Sequence, residues 1–221
     1  MEEEREILPL LYDDFIFKRL FTGQDTILEK MISDITGIEY SFLKGNMIFG
    51  NDTSKRNEQN LPCDFILTIN KQMTINLEIN KQSYLGTIVR NFPHLFQLFS
   101  SSFSTVEKPE ENLVLLQINL NDLEYESSKY IKPLSKYFMK RDNKDWVIEK
   151  KGVIYDLIIS ECYKSYCNNN SSDIPNHIRW GSLFYSNNLE EISDILKEIM
   201  TEEERNLIMD RINNLTQKNF C

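Results

Sequence analysis

Residues 62–80 read Pro62-Cys63-Asp64-Phe65-Ile66-Leu67-Thr68-Ile69-Asn70-Lys71-Gln72-Met73-Thr74-Ile75-Asn76-Leu77-Glu78-Ile79-Asn80. Two short apolar stretches flank a polar Lys71-Gln72 turn, a pattern that predicts an antiparallel hairpin. Side chains alternate between the two faces of a strand, so Glu78 falls on the face opposite Leu77. In a hairpin, the start of the first strand lies beside the end of the second. We therefore expect Asp64 to lie close to Glu78.

A pair of neighbouring carboxylates suggests a metal site. Asp64 and Glu78 would repel each other unless a cation lay between them, and a hard divalent ion accepts carboxylate and carbonyl oxygens. The pair thus points to Mg²⁺ or Mn²⁺. The alternative is that Asp64 only begins a strand and that Glu78 is a solvated residue on the exposed face of an antiparallel sheet.

Length and composition set broad bounds. A chain of 221 residues can form one sizeable core with a small helical appendage. Its net charge of −9 argues against indiscriminate nucleic-acid binding but allows a local basic groove. The acidic segment 1–6 lacks the apolar core of a secretory signal, and no apolar run approaches the roughly 20 residues of a membrane span. We expect a cytoplasmic protein with no membrane partner.

Hydrophobic periodicity predicts further elements on both sides of the hairpin. They are a helix over 14–35 with a break at Thr22-Gly23 left open, an edge strand at 47–49, a helix over 84–102 and buried strands at 113–120 and 153–160. Residues 125–146 are mixed in character, and no element is predicted there.

The C-terminal part of the chain reads as helical. An Asn/Ser-rich loop at 168–176 precedes an amphipathic helix over 189–200. Thr201 and Glu204 then form a capping box that begins another helix. Its predicted apolar stripe consists of Leu207, Ile208, Ile212 and Leu215.

The motif Pro62-x-Asp64 followed by Glu78-x-Asn80, in the order helix, edge strand, hairpin, helix, strand, resembles the PD-(D/E)xK nuclease superfamily. The chain looks most similar to the Rpn-like recombination-promoting nucleases and the transposase-associated PD-(D/E)xK proteins. Three features carry this closer resemblance: the signature Asp14-x-x-Phe17-Lys18-x-x-Phe21, Arg90 at twelve residues after Glu78, and the pair Leu98-Phe99. The resemblance covers residues 12–160 and extends more loosely from 180 onward.

This resemblance implies an α/β fold with a restriction-endonuclease-like core. That core has the order αβββαβ and a mixed central sheet flanked by helices. It would span residues 1–167, and residues 168–221 would form a C-terminal helical extension packed on or beside it. The implied function is a Mg²⁺- or Mn²⁺-dependent DNA endonuclease linked to recombination or mobile elements, with DNA as partner and a homodimer left open. A second hypothesis is a weakened or inactive nuclease-fold module that binds nucleic acid or protein.

The resemblance also implies metal ligands. Asp64 and Glu78 would bind the metal, the carbonyl of Ile79 would supply a third oxygen, and Asp14 would add an outer-shell or second-metal contact. Asp13 and Asp14 also stand where a helix cap belongs, so Asp14 has a second explanation.

The water-orienting position departs from the family pattern. Asn80 stands where the superfamily usually has Lys and this branch often has Gln. Either Gln82 or Lys81 compensates for the shorter side chain, or catalysis is weak or lost. Lys18, Lys81 and Arg90 are candidates for phosphate contacts, and ordinary salt bridges or solvation are the alternatives for these cations.

Overall fold

The computed structural model describes residues 11–50, 65–69, 73–83, 114–123, 132–138, 152–169 and 173–218. Helices and strands in these ranges form an α/β structure with a mixed sheet flanked by helices, as predicted. The helices are α1 (Asp14–Phe21), α2 (Asp25–Thr36), α3 (Tyr40–Leu43), α4 (Ile159–Asn168), α5 (Asn176–Tyr185), α6 (Leu189–Ile199) and α7 (Glu202–Lys218). The strands are β1 (Met47–Gly50), β2 (Phe65–Ile69), β3 (Met73–Ser83), β4 (Val114–Leu123), β5 (Leu134–Phe138) and β6 (Val153–Ile158).

The described sheet has six strands in the order β1-β2-β3-β4-β6-β5. The first three strands are antiparallel neighbours, β4 runs parallel to β3, and β6 runs parallel to β4. Strand β5 closes the other edge antiparallel to β6. The β3–β4 and β4–β6 pairs are therefore parallel. Strands β3 and β4 lie in the middle of the sheet, where strands are buried on both faces.

The predicted hairpin is confirmed. β2 pairs with β3 from Phe65 opposite Leu77 to Ile69 opposite Met73. Strand β1 is the edge strand predicted at 47–49 and pairs with β2. The break at Thr22-Gly23 is also present, since Gly23 adopts a φ of 73° between α1 and α2. Glycine reaches that conformation without steric cost, so the chain can turn there.

Helices pack on the apolar face of the sheet. The ring of Phe17 in α1 lies 5.4 Å from that of Phe184 in α5, measured between centroids. Tyr155 of β6 donates a hydrogen bond to the carbonyl of Thr36 at the end of α2 (3.2 Å). Trp180 of α5 is fully buried, and its indole N–H donates to Asp34 of α2 (2.8 Å). Aromatic packing and partly buried hydrogen bonds thus join α1, α2 and α5.

The domain boundary at 167/168 stays a prediction.

Two C-terminal helices confirm the sequence pattern, with one exception. α6 and α7 lie where they are predicted, and the Thr201 backbone N–H donates to the Glu204 carboxylate (2.9 Å), while the Glu204 N–H reaches the Thr201 hydroxyl (3.4 Å). Ile208 and Ile212 are buried, but Leu207 is 40% exposed. Including Leu207 in the apolar stripe is therefore wrong, because it lies one position off the buried side of the helix.

Sequence patterns missed or misplaced several of the described elements. Strand β5 lies in the unassigned segment 125–146, and Lys136 and Tyr137 are exposed, which weakens the apolar signal of this edge strand. The strand predicted at 153–160 ends at Ile158, because Ile159 already begins α4. Helices α4 and α5 are not predicted either. The helix expected over 84–102 lies outside the described residues.

None of the described helices has the length and apolar character needed to cross a membrane.

Candidate functional site

One face of the sheet carries polar side chains across its three central strands. We call it the polar face and define it by Asn76, Glu78 and Asn80 of β3, Gln117, Asn119 and Asn121 of β4, and Asp156 of β6. The register sets them in rows: Asn76 lies opposite Gln117, Glu78 opposite Asn119, and Asn80 opposite Asn121. Asn119 in turn lies opposite Asp156. The row through Glu78 thus continues over three strands and ends in a second carboxyl group.

These polar side chains are buried. Glu78 is 5% exposed and Asp156 only 1% exposed. The alternative that Glu78 is a solvated residue on an exposed face is therefore wrong. β4 lies on its other side in a parallel pair, so the sheet around Glu78 is mixed rather than antiparallel. Buried charged and amide groups are costly unless they are hydrogen-bonded, so this face demands a specific network of partners.

Hydrogen bonds connect amides of the polar face in two relays. In the Gln117 relay, Gln117 Nε2 donates to Asn119 Oδ1 (2.9 Å) and Asn119 Nδ2 donates to Asp156 Oδ1. In the Asn80 relay, Asn80 Nδ2 donates to Asn121 Oδ1 (3.0 Å). The Gln117 relay therefore ends at the Asp156 carboxyl group.

Glu78 has an amide neighbour of its own. Asn76, two residues earlier on β3, donates Nδ2 to Glu78 Oε1 (2.8 Å). A hydrogen bond of this kind restrains the orientation of the carboxylate. The carboxylate of Glu78 is therefore held in place by its own strand.

Four polar atoms of this region have no hydrogen-bond partner in the part of the chain that the structure describes. They are Asn76 Oδ1, Gln117 Oε1, Asp156 Oδ2 and Ser160 Oγ. The first two belong to residues that face each other across β3 and β4. Burial raises the pKa of Asp156, and the hydrogen bond from Asn119 opposes that rise. Oxygen atoms without donors at a buried place are suitable partners for a cation or an ordered water.

The structure places the predicted site residues unevenly. Glu78 and Asn80 lie together on the polar face, and Ile79 lies between them with its side chain toward the other face. Asp14 begins α1, and Lys18 is a half-buried residue of the same helix. Asp64 and Arg90 lie outside the described residues, so their roles stay predictions.

Strand β3 is irregular where Lys81 and Gln82 lie. Asn80 pairs with Asn121, whereas Ser83 pairs with Leu123, so β3 uses one more residue than β4 over this interval. An extra residue of this kind is a β-bulge, which interrupts the regular alternation of side chains. Regular alternation would set Lys81 on the face opposite Asn80. Because of the bulge, alternation no longer decides whether Lys81 or Gln82 is the residue that compensates for Asn80.

Asn119, Asn121 and Asp156 belong to the polar face but are not among the predicted site residues. A signal for them exists: Gln117-x-Asn119-x-Asn121 repeats polar residues with a period of two inside a strand predicted to be buried on both faces. Asp156 likewise interrupts the apolar run 153–160. Buried amide side chains need hydrogen-bond partners. Regularly spaced amides in a buried strand therefore indicate a layer of polar side chains on one face of the sheet.

The chemistry of the donor set suits a hard divalent cation. The groups on offer are the Glu78 carboxylate and amide and carbonyl oxygens, and Mg²⁺ and Mn²⁺ prefer oxygen ligands. Within the described ranges, no group of three His, Cys, Asp or Glu side chains that could hold a metal ion is present. Asp64, the predicted partner of Glu78, directly precedes Phe65, the first residue of the described range 65–69.

Comparison of the chain with family models, with curated protein sequences and with solved structures finds no match.

Proposed function

We propose that this protein is a divalent-metal-dependent DNA endonuclease of the PD-(D/E)xK type, with Glu78 as its central acid. The observation that carries the proposal is the burial of Glu78 on the polar face at the centre of the sheet. Three antiparallel strands followed by a parallel fourth are in keeping with the order αβββαβ of a restriction-endonuclease-like core. The link to recombination or mobile elements derives from the sequence resemblance alone.

Asp64 is the second acid of the proposal. The described β2–β3 register ends with Phe65 opposite Leu77. One further step of the same register would set Asp64 opposite Glu78 and on the same face, as the hairpin pattern predicts. Two carboxylates at that place would hold a divalent ion together with the carbonyl oxygen of Ile79. Asp14 would add an outer contact, and Lys18, Lys81 and Arg90 would contact DNA phosphates.

A divalent ion held there would activate water and stabilise negative charge on the phosphodiester during hydrolysis. The protein's own groups would position the participants. Asn76 holds the Glu78 carboxylate through its hydrogen bond to Oε1. Asn80, whose amide nitrogen donates to Asn121, would present its carbonyl oxygen as an acceptor that orients the attacking water.

One observation favours the alternative, a nuclease-fold module that binds but does not cleave. The amide of Asn80 is neutral and its nitrogen donates to Asn121, so it neither carries the positive charge of the lysine that usually stands at this position nor points its donor at a substrate. Loss of that charge would weaken stabilisation of the developing negative charge. Lys81 and Gln82, at the bulge of β3, are then the residues on which activity depends.

The deciding experiment is cleavage of supercoiled plasmid DNA with Mg²⁺ or Mn²⁺, with EDTA as the metal-free arm. Glu78→Gln and Asp64→Asn keep the side-chain shape but remove the charge. Glu190→Gln, at an exposed position in the first turn of α6, is the matched control. We expect metal-dependent nicking by the parent and the control, and a loss of at least about 100-fold in the two site variants.

Two outcomes contradict the proposal. Nicking that persists in Glu78→Gln at the parental rate would assign it to another site or to a contaminant. A folded parent protein that cleaves neither double-stranded nor single-stranded DNA with either metal would favour the binding module. In that case Asn80→Lys tests whether the missing cation is the cause, because it restores the charge that the family usually has there.

A further inference from the structure

We infer that a proton on Asp156 sets the direction of the Gln117 relay, and that the protonated state joins Asp156 to Glu78 by one unbroken line of hydrogen bonds. The line runs through Asn119, Gln117 and Asn76. It is argued from the hydrogen bonds and the register of the polar face, and only its meaning for catalysis rests on the proposed function.

The observed relay leaves two amide oxygen atoms without donors on neighbouring strands. Gln117 Nε2 donates to Asn119 Oδ1 and Asn76 Nδ2 donates to Glu78 Oε1, so both amides turn their nitrogen atoms toward the next row. Their oxygen atoms, Gln117 Oε1 and Asn76 Oδ1, are buried and accept no hydrogen bond within the described ranges. The two residues are partners in the β3–β4 register, and neighbouring strands lie about 4.8 Å apart. Adjacent side chains thus present two acceptors to one region.

Rotation of two amides removes this mismatch. The nitrogen and oxygen atoms of an amide exchange places when the group rotates by half a turn, with little change of shape. If Asn119 and Gln117 both rotate, Asn119 Nδ2 donates to Gln117 Oε1. Gln117 Nε2 then donates to Asn76 Oδ1, so both oxygen atoms have donors. The hydrogen bond from Asn76 to Glu78 (2.8 Å) continues the line to the carboxylate.

The rotated relay requires a proton on Asp156. In the observed direction, Asn119 Nδ2 donates to Asp156 Oδ1, whereas a rotated Asn119 turns its own oxygen atom toward that place. Two acceptors would meet there unless the carboxyl group carries a hydrogen atom and donates it to Asn119. Protonation of Asp156 and rotation of the two amides are therefore coupled.

The surroundings of Asp156 favour its protonated form. The residue is 1% exposed, and burial raises the pKa of its carboxyl group. In the part of the chain that the structure describes, β4 presents amides to it, its partner on β5 is Ser135, and no cation pairs with it. Glu78 lies in the same row two strands away, and a like charge disfavours ionisation. Lys136 and Asp122 alternate to the other face, where α2, α4 and α5 pack. We therefore expect the protonated state to prevail at neutral pH.

For the proposed reaction, Asp156 is then a positioning residue. In the protonated state, Gln117 donates to Asn76 and fixes the amide that holds the Glu78 carboxylate. In the ionised state, the relay runs toward Asp156 and gives Asn76 Oδ1 no donor. The proton on β6 thus determines how firmly Glu78 is held on β3.

The pH dependence of unfolding tests the proton on Asp156. Asp156→Asn keeps a donor and the shape of the side chain but cannot ionise. Aspartate in an unfolded chain ionises at about pH 3.9, so unfolding of the parent releases a proton above that pH if the folded state holds one. The stability that the proton provides is therefore complete in acid and is lost as the pH rises. The unfolding equilibrium constant of the parent, divided by that of Asp156→Asn, should rise about tenfold per pH unit from about pH 4.5 to neutrality.

A ratio that stays flat over this range overturns the inference. Asp194→Asn, at an exposed position of α6, is the matched control, and its ratio to the parent should stay flat. If Asp156→Asn does not fold, the parent alone answers the question. The side-chain carboxyl ¹³C signal of Asp156, assigned through its own backbone signals, should keep the chemical shift of a protonated acid at neutral pH. A signal that titrates as in an unfolded chain overturns the inference.

Gln117→Met tests the line between Asp156 and Asn76. The substitution keeps the length of the side chain but removes its donor and acceptor. The protonated state loses more hydrogen bonds than the ionised state, so the midpoint of the Asp156 ¹³C titration should fall by about one pH unit. An unchanged midpoint in the folded variant overturns the relay.

A cleavage arm separates this inference from the proposed function. If the parent cleaves DNA, Gln117→Met should lower kcat by about tenfold with little change in KM for DNA, because it loosens Glu78 without removing a DNA contact. Parental kcat in Gln117→Met overturns the positioning role. If the parent does not cleave, the proposed function fails, while the pH slope and the carboxyl signal still decide whether Asp156 holds the proton.

Discussion

Gly181→Ala should destabilise the protein because α4 and α5 approach each other closely at this residue. A Cβ atom added to Gly181 would lie 2.5 Å from both Cβ and Sγ of Cys162 and 3.6 Å from Cδ2 of Leu157. Carbon atoms in contact prefer about 3.5–4.0 Å, so the two helices would have to separate by about 1 Å. Cys162 is fully buried, which leaves the new methyl group no room. Leu157 adjoins Asp156 in β6, and the same contact therefore involves the strand that ends the Gln117 relay.

The expected magnitude combines two opposing effects. Overpacking of a filled core costs about 1–3 kcal/mol, and a contact of 2.5 Å to two atoms belongs at the upper end of this range. Alanine is better than glycine in a helix interior by about 1 kcal/mol. The free energy of unfolding should thus fall by about 2 kcal/mol, which for a chain of this size lowers Tm by about 4–8 °C.

Urea unfolding followed by circular dichroism measures this change, and a double-mutant cycle isolates its cause. Cys162→Gly removes the two atoms that the new methyl group would meet. Gly181→Ala combined with Cys162→Gly should therefore be more stable than the sum of the two single changes predicts, by at least about 1 kcal/mol. Gly37→Ala is the control: its φ is 73° and nothing lies within 4 Å, so it tests backbone strain without a clash.

Stabilisation of the protein by Gly181→Ala, or additive effects in the cycle, would refute this reasoning. Either result would mean that the helices yield without cost or that the close approach does not occur in solution.

Two further predictions concern contacts made by the last helix. Although burial raises the pKa of Glu204, hydrogen bonds from Lys30 and the capping box lower it on balance. Glu204→Gln should lower the free energy of unfolding by about 1 kcal/mol at neutral pH. This difference should vanish as the pH falls through the lowered pKa of Glu204, since the carboxylate stabilises the fold only while it is ionised. A difference in unfolding free energy that stays constant into acid contradicts this prediction. Arg211 donates to three backbone carbonyls at the end of α1, one of them at 2.7 Å. Arg211→Met should therefore lower the free energy of unfolding by about 2 kcal/mol. The control is Asn213→Ala, at an exposed position of the same helix, which should change it by less than about 0.5 kcal/mol. Equal effects of the two changes would show that the Arg211 contacts contribute nothing to stability.

Local patterns predicted much of the fold. Alternation in residues 65–79 predicted the hairpin, Thr22-Gly23 marked a break between helices, and the Thr201–Glu204 capping box located the start of α7. These features depend on neighbours within a few residues, so the sequence carries their signal directly. Strand β5 and helices α4 and α5 lack such a signal because their stability derives from packing against distant parts of the chain.

The sequence likewise predicted only part of the candidate site. Its acid, Glu78, and the departure at Asn80 are visible in the sequence and stand side by side on the polar face. The burial of Glu78 is not visible, because a polar residue on an alternating strand reads equally well as solvated. The bulge at Lys81 and Gln82 is also a property of the β3–β4 pair, since it depends on how many residues each strand uses.

By itself, the sequence determined the pattern of strands and helices around the hairpin and the identity of a conspicuous acid, since both depend on residues close together in the chain. Only the tertiary structure decided that Glu78, Asn119 and Asp156 share one row and that Asn80 is joined to Asn121 on the neighbouring strand. The order of strands in a sheet is set by pairings between distant segments, and no local periodicity encodes which strand lies beside which. The polar face exists because β3, β4 and β6 meet in that order.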